Sequence, residues 1–359
     1  MPPIILAPGP TKVHPELMQW MNDADAEGVF WRSHRTPWFE SMFAEVKQGL
    51  RSLLSIPEGH TIALLTSANE AWERSIESLV KQESFHLVGG EFGERWFQYA
   101  KRLGRTPSRW EYVTTFSGNF GEVIVPESAE AICVTQNETS TGLWIPENQI
   151  SEIANRYPNK LMLVDVVSSI PVVQLEWEKV DLAYWSVQKG FQLPAGLAVV
   201  VMSPRAIQRC QALTSQQSCG AYHSLSQLAA NSEKNITAET PNVLAIYLLK
   251  RAIQKYLSSG LETIRTETLT RATSFYEQLN DTPFRALVTS KEFQSPTVFA
   301  VVSDADISTW RANLTSQQQI YTGACYSELK PHAFRIANFP IHTEEEHSAI
   351  LNQMKLFTA

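Results

Sequence analysis

Two spacings alternate along the first two-thirds of the chain. After Pro37, Phe39, Met42, Phe43, Val46, Leu50, Leu53 and Leu54 fall at helical intervals, which predicts a helix with one apolar face. The next apolar run, Thr61-Ile-Ala-Leu-Leu-Thr66, is short and bounded by polar residues, as a strand would be. Ser67-Ala68-Asn69 follows, then a helix to about Val80. The unit repeats as Ser84-Phe-His-Leu-Val88, Gly89-Gly90 and a helix from about Phe92 to Leu103. It repeats again as Ala131-Ile-Cys-Val-Thr135, a polar loop and a helix over Pro146 to Tyr157. Leu161-Met-Leu-Val164 and Leu182-Ala-Tyr-Trp185 are further strands, and Leu197-Ala-Val-Val-Val-Met202 is apolar throughout, as a strand buried on both faces would be. Strands alternating with helices predict an α/β fold: a mainly parallel sheet with helices on both sides.

The pattern changes after residue 240. Two long amphipathic helices, about 242–258 and 261–279, meet at Gly260, a suitable residue just past a helix end. Strand-like Thr297–Val302, a helix near 307–314, strand-like Phe334–Ala337 and a last helix complete the chain. That last helix opens on Thr343-Glu-Glu-Glu346, a capping box. This predicts a large domain over 12–245 and a small α/β domain over 246–359 joined by residues 1–11.

Composition narrows the function. With 43% hydrophobic and 19% charged residues in 359, the chain is an ordinary globular protein. A net charge of -7 gives no electrostatic footprint for nucleic acid or an anionic membrane. No apolar run approaches the ~20 residues that span a bilayer, and the N-terminus lacks a basic signal-peptide region. Cys133, Cys210, Cys219 and Cys325 are scattered without C-x-x-C spacing, so no disulfide framework or metal site is expected. The expected setting is the cytoplasm.

Ligands of open parallel sheets bind at the carboxyl ends of the strands, and the informative polar residues cluster there. Asp165 ends one predicted strand and Lys189 lies just past another. Pyridoxal phosphate (PLP) chemistry needs such a pair: an amine that forms a Schiff base and moves a proton, and a carboxylate that keeps the pyridine nitrogen protonated. Taken alone, the pair equally describes two solvated surface residues. Ser67-Ala68-Asn69 precedes a helix whose free N–H groups suit a phosphate, or is an ordinary cap. Phe92 suits stacking on a pyridine ring, or pairs with Trp96 in the core. Asn137-Glu138-Thr139-Ser140-Thr141-Gly142 offers hydroxyls to a cofactor, or is a turn.

From Pro8-Gly9-Pro10-Thr11 to Asn338-Phe339-Pro340, the chain resembles the fold-type-I, class-V aminotransferases. The motifs that carry the likeness are Gly93-Glu94-Arg95-Trp96, Asn137 to Gly142, Val164-Asp165-Val166-Val167-Ser168-Ser169 and Gln188-Lys189…Pro194-Ala195-Gly196-Leu197. Within the class, Ser33-His34-Arg35, Asn137-Glu138-Thr139, Thr240-Pro241 and Phe334-Arg335-Ile336-Ala337 are most similar to the phosphoserine aminotransferases.

The resemblance implies a homodimer with active sites at the subunit interface, exchanging the amino group of phosphoserine with 2-oxoglutarate in serine biosynthesis. It implies Lys189 as the Schiff-base lysine, Asp165 facing the pyridine nitrogen, Phe92 on the ring and Thr139 near the phenolic oxygen. Ser67, Ala68 and Gln188 would hold the cofactor phosphate, with Thr240 arriving from the neighbouring subunit. Arg335 would clamp the substrate α-carboxylate, and His34 and Arg35 would meet the distal phosphate or carboxylate.

Three departures bear on this. The phosphate turn is Ser-Ala-Asn rather than glycine-rich, Glu239 places a carboxylate beside Thr240, and only Lys330 and His332 lie between Tyr326 and Arg335 where relatives carry a His-Arg pair. The alternatives are an alanine–glyoxylate or serine–pyruvate aminotransferase, a cysteine desulfurase using Cys325, and a scaffold without catalysis. Gln188 weighs against the desulfurase, which typically has His before the lysine; retained Lys189, Asp165 and Arg335 weigh against the scaffold.

Overall fold

The short apolar runs assemble into one seven-stranded sheet in the computed structural model, which describes residues 2–216 and 218–358. Across the sheet the strands are Thr61–Leu65, Ala198–Met202, Leu182–Ser186, Leu161–Asp165, Ala131–Thr135, Ser84–Val88 and Ser108–Glu111. From Leu182–Ser186 to Ser108–Glu111 every pairing is parallel. Ala198–Met202 runs antiparallel to both of its neighbours. Its apolar run reports burial on both faces and is silent on direction. The link 187–197 holds no helix, and a chain that returns without a crossover pairs antiparallel. That link carries Lys189.

Alternate side chains of each strand enter separate cores. Ile62, Leu64, Val199 and Val201 face helices Leu17–Ala26, Pro37–Leu54, Glu147–Arg156 and Val243–Ser259. Ala63, Leu65, Val200 and Met202 face helices Ala68–Leu79, Glu91–Arg102, Pro204–Thr214 and Leu225–Glu233. Several of these helices begin on a side-chain cap: Thr36 accepts from the Phe39 N–H, Ser67 from Glu70 and Ser203 from Ala206, each cap contributing about 1 kcal/mol.

The small domain is a five-stranded sheet in the order Ile4–Leu6, Ile320–Ala324, Ala333–Ala337, Val298–Val302 and Arg285–Ala286. Helices Leu261–Leu279, Ser308–Gln318 and Glu344–Lys355 accompany it, and Phe275, Phe299, Phe334, Ile336 and Met354 lie in its core. The capping box at Thr343 and Glu346 is formed. Helix Val243–Ser259 buries Ile246, Leu249 and Ile253 in the large-domain core, and Leu261 and Ile264 at the start of the next helix still pack against that core, while Ala272, Phe275 and Leu279 enter the small-domain core. Sequence periodicity shows an amphipathic face but not what covers it.

Candidate active site

The carboxyl ends of the parallel strands open on a cavity of about 280 Å³, lined from the large domain and closed on one side by Gly9, Pro10 and Tyr326. Strand Leu161–Asp165 delivers Asp165 to it, and the returning link delivers Gln188 and Lys189. Ser67, Ala68, Phe92 and Thr139 line the same space. Residues as far apart in sequence as Gly9 and Tyr326 thus meet at one point.

The Lys189 amine donates to the Pro8 carbonyl at 2.7 Å. Burial, reinforced by the Arg335 charge and opposed by Asp165, lowers its pKa to about 8, so near neutrality it readily supplies the unprotonated amine a nucleophile needs. Room for it depends on two glycines. A Cβ on Gly9 would collide with the lysine amine and lie 2.6 Å from its Cε, and a Cβ on Gly323 would lie 2.6 Å from the Pro8 ring.

Asp165 is buried beneath the cavity. One carboxylate oxygen accepts from Trp72 Nε1 and the Tyr184 hydroxyl, both at 3.1 Å, and the other from the Val167 N–H at 2.9 Å. Burial nevertheless dominates and pushes its pKa up to about 6. A nearby cation therefore meets a carboxylate whose negative charge is incompletely offset.

A second buried carboxylate, Glu138, serves the backbone. It accepts from the N–H groups of Phe92 at 3.1 Å, Gly93 at 2.9 Å and Ser140 at 3.1 Å, and from the Ser140 hydroxyl at 2.5 Å. Gly90 precedes this helix without a side-chain cap, so Glu138 acts as the cap and fixes Phe92 at the helix start. The sequence marked Glu138 as part of a motif but gave no sign of this role, which needs residues 45 or more positions apart.

Thr139 donates to the Ser168 hydroxyl at 2.7 Å, and its carbonyl accepts from Arg335 at 3.1 Å. Arg335 also donates twice to the Ala324 carbonyl and lies over the Tyr326 ring, 4.9 Å from its centre. Tyr326 meets Phe92 edge-on. Tyr326, Gly9, Trp72 and Ser186 are cavity residues that pattern reasoning missed; the Pro8-Gly9-Pro10 motif was visible, but nothing local pointed to a lysine 180 residues away. Three buried polar atoms of cavity residues, Thr135 Oγ1, Asn137 Oδ1 and Gln188 Oε1, have no partner among the described residues.

At the start of helix Ala68–Leu79, the Ala68 N–H donates to the Ser186 hydroxyl at 3.1 Å, while Ser67 takes the Glu70 N–H. The turn is thus a cap and a cavity wall together. Glu239 does not stand as a bare carboxylate: it bonds His223 Nε2 at 2.6 Å. Thr240 and Arg35 are exposed and His34 is half-buried, and all three lie outside this cavity. Cys325 is buried, and burial pushes its thiol up to about 11 despite Arg335 and Arg311, which removes the thiolate that a desulfurase needs. Among the described residues no group of His, Cys, Asp and Glu is arranged to hold a metal ion, and no helix is long and apolar enough to cross a membrane.

Residues 118–322 match the family model for class-V aminotransferases. A phosphoserine aminotransferase of Corynebacterium glutamicum strain R is 31% identical over 274 residues, covering 75% of this chain and 70% of that protein. One from Rhodococcus opacus strain B4 is 28% identical over 350 residues, 95% and 91% of the two chains. Among solved structures, a phosphoserine aminotransferase from Cytophaga hutchinsonii superposes with a TM-score of 0.94 at 32% identity over 99% of both chains. An alanine–glyoxylate aminotransferase from Nostoc, at 23% identity and a TM-score of 0.85, shares the fold.

Proposed function

The chain belongs to the class-V aminotransferases, whose cofactor is pyridoxal phosphate, and from that premise we propose that it moves the amino group of phosphoserine to 2-oxoglutarate. The observation that carries the choice of substrate is the likeness to the Cytophaga phosphoserine aminotransferase, which extends over 99% of both chains. The same reading carries with it a cytoplasmic homodimer working in serine biosynthesis.

The cavity residues fit the cofactor. A lysine with a lowered pKa, a buried carboxylate beneath the cavity and three unpartnered polar atoms at its wall match a ring that needs covalent attachment, a partner for its nitrogen and hydrogen bonds to its substituents. Bound there, PLP supplies the electron sink for charge developing at the substrate Cα. Lys189 would attach it and would carry the proton to and from Cα. Asp165 would keep the pyridine nitrogen protonated, Phe92 would cover the ring, and Thr139 would bond near the phenolic oxygen. Ser67, Ala68, Gln188 and Thr240 of the second subunit would hold the phosphate. Arg335 turns its planar fork to the substrate carboxylate, which replaces the carbonyls of Ala324 and Thr139 with a charged partner. His34 and Arg35 meet the distal anion.

A half-reaction tests the proposal. Phosphoserine, alanine or serine is added singly to the yellow holoenzyme, and loss of the visible band is timed. Fastest conversion by phosphoserine is expected; faster conversion by alanine or serine overturns the substrate assignment and favours the alanine–glyoxylate or serine–pyruvate type.

A further inference from the structure

His223 is buried, with 1% of its surface exposed, and lies outside the cavity lining. Its Nδ1 bonds Glu70 on the first turn of helix Ala68–Leu79, and its Nε2 bonds Glu239 at 2.6 Å. A carboxylate oxygen only accepts, and a neutral imidazole has one N–H; filling both contacts requires the imidazolium. The backbone is left-handed here, with φ +54°, and the ring stacks on Tyr222 at 3.9 Å. The second oxygen of Glu70 accepts from the Thr66 N–H and hydroxyl, both at 2.7 Å. On the other side, the Thr237 hydroxyl holds the Glu239 carbonyl at 2.8 Å. An unbroken line of polar contacts therefore runs from Thr66, beside the Ser67–Asn69 turn, to Glu239, beside Thr240.

The local charges decide what His223 does. Facing it are Glu70 and Glu239. Arg74, on the same helix as Glu70, donates to the Tyr222 carbonyl at 3.0 Å but is itself paired with Glu73 and Glu77. The imidazolium is thus the charge that offsets Glu70 and Glu239. Without it, two carboxylates confront one another next to the positions that contact an anionic group.

We infer that His223 is a positioning residue for the cofactor phosphate: an imidazolium that ties the Ser67–Asn69 turn to the Glu239–Thr240 segment and offsets the carboxylate charge beside Thr240. The inference rests on the proposed cofactor reading. If Thr240 serves the second subunit, the bridge joins one active site to the residue lent to the other. Burial opposes the charge on His223, but its bonds to Glu239 and Glu70 outweigh burial and raise its pKa to about 9. A raised histidine contributes fully below its ordinary range and loses the contribution as pH rises through about 9.

Absorbance titration of the apoprotein with PLP tests this in the wild type, His223→Asn and the double variant His223→Asn/Glu239→Gln. At pH 7.5, His223→Asn is expected to bind PLP about tenfold more weakly, the scale of one lost charged hydrogen bond. The ratio to wild type should fall towards one above about pH 9, and removing the Glu239 charge should restore most of the affinity at pH 7.5. Wild-type affinity in His223→Asn, or a loss that Glu239→Gln leaves untouched, overturns the inference. An independent readout on the unaltered apoprotein is the NMR signal of its histidine nitrogens at pH 8, where both nitrogens of His223 should carry protons. A neutral imidazole there also overturns it. A wild-type protein that takes up no PLP instead overturns the cofactor reading, before any variant is compared.

Discussion

At the floor of the cavity, Asp165 is buried and Lys189 meets the Pro8 carbonyl, with buried Glu138 capping the Phe92 helix nearby; His34 and Arg35, the rim of the proposed site, sit on a loop outside the cavity with the Arg35 side chain 3.4 Å from the imidazole it neighbours. The floor is arranged in advance, at a cost. Asp165 keeps three hydrogen bonds, yet burial still pushes its pKa up to about 6 and so opposes the ionised form. Lys189 pays a similar penalty in the other direction. The rim carries no such strain, because the Arg35 guanidinium is exposed to water. Chemistry at the floor is therefore bound to the fold, whereas recognition at the rim depends on what comes to meet it.

The sharpest way to break this contrast is Lys189→Ala. It should abolish the visible band of the holoenzyme and lower turnover by at least about a thousandfold, since both attachment and proton transfer are lost. A retained band would remove the lysine from its role. Next in size is Asp165→Asn, expected to lower kcat by about a hundredfold or more as the pyridine nitrogen loses its anion, while the melting temperature of the apoprotein at pH 7.5 stays level or rises. A large loss of stability would show that the three hydrogen bonds outweigh the cost of burying the charge.

At the rim, Arg35→Ala should raise KM for phosphoserine about tenfold with little change in kcat, and leave alanine, which has no distal anion, unaffected. Equal effects on both would mean that Arg35 does not read that end of the substrate. A pH dependence probes the floor without any substitution. Because the Lys189 pKa is lowered to about 8, PLP uptake by the apoprotein should speed up as pH rises from 6 to about 8 and then level off. A rate still climbing in proportion to hydroxide near pH 10 would show an ordinary, solvated lysine.

Six strands of the large sheet were legible because each is short, apolar and closed by polar or glycine residues; the polar edge strand Ser108–Glu111 was not. Leu197–Met202 was legible as buried but not as reversed, since apolar continuity encodes burial alone. Strands Ile4–Leu6 and Ile320–Ala324 escaped notice: they pair with each other across most of the chain and carry no alternating pattern. The same limit governs the site. Asp165, Lys189 and Phe92 stood at strand or helix ends, where period and turn signals mark a position. Glu138 as a helix cap, Gly9 as clearance for Lys189 and His223 between Glu70 and Glu239 each depend on a partner far away in sequence.

The sequence by itself determined most strands of the large sheet and several of its helices, which side chains are chemically capable, and the family in which that order of motifs recurs. These are local properties, set by spacing and residue type. Only the tertiary structure decided that Lys189 is desolvated beside Arg335, that Asp165 stands on Trp72 and Tyr184, and that Glu239 is bonded to His223. A pKa and a charge balance belong to the surroundings of a group, and here those surroundings are built by chain segments that the sequence keeps far apart.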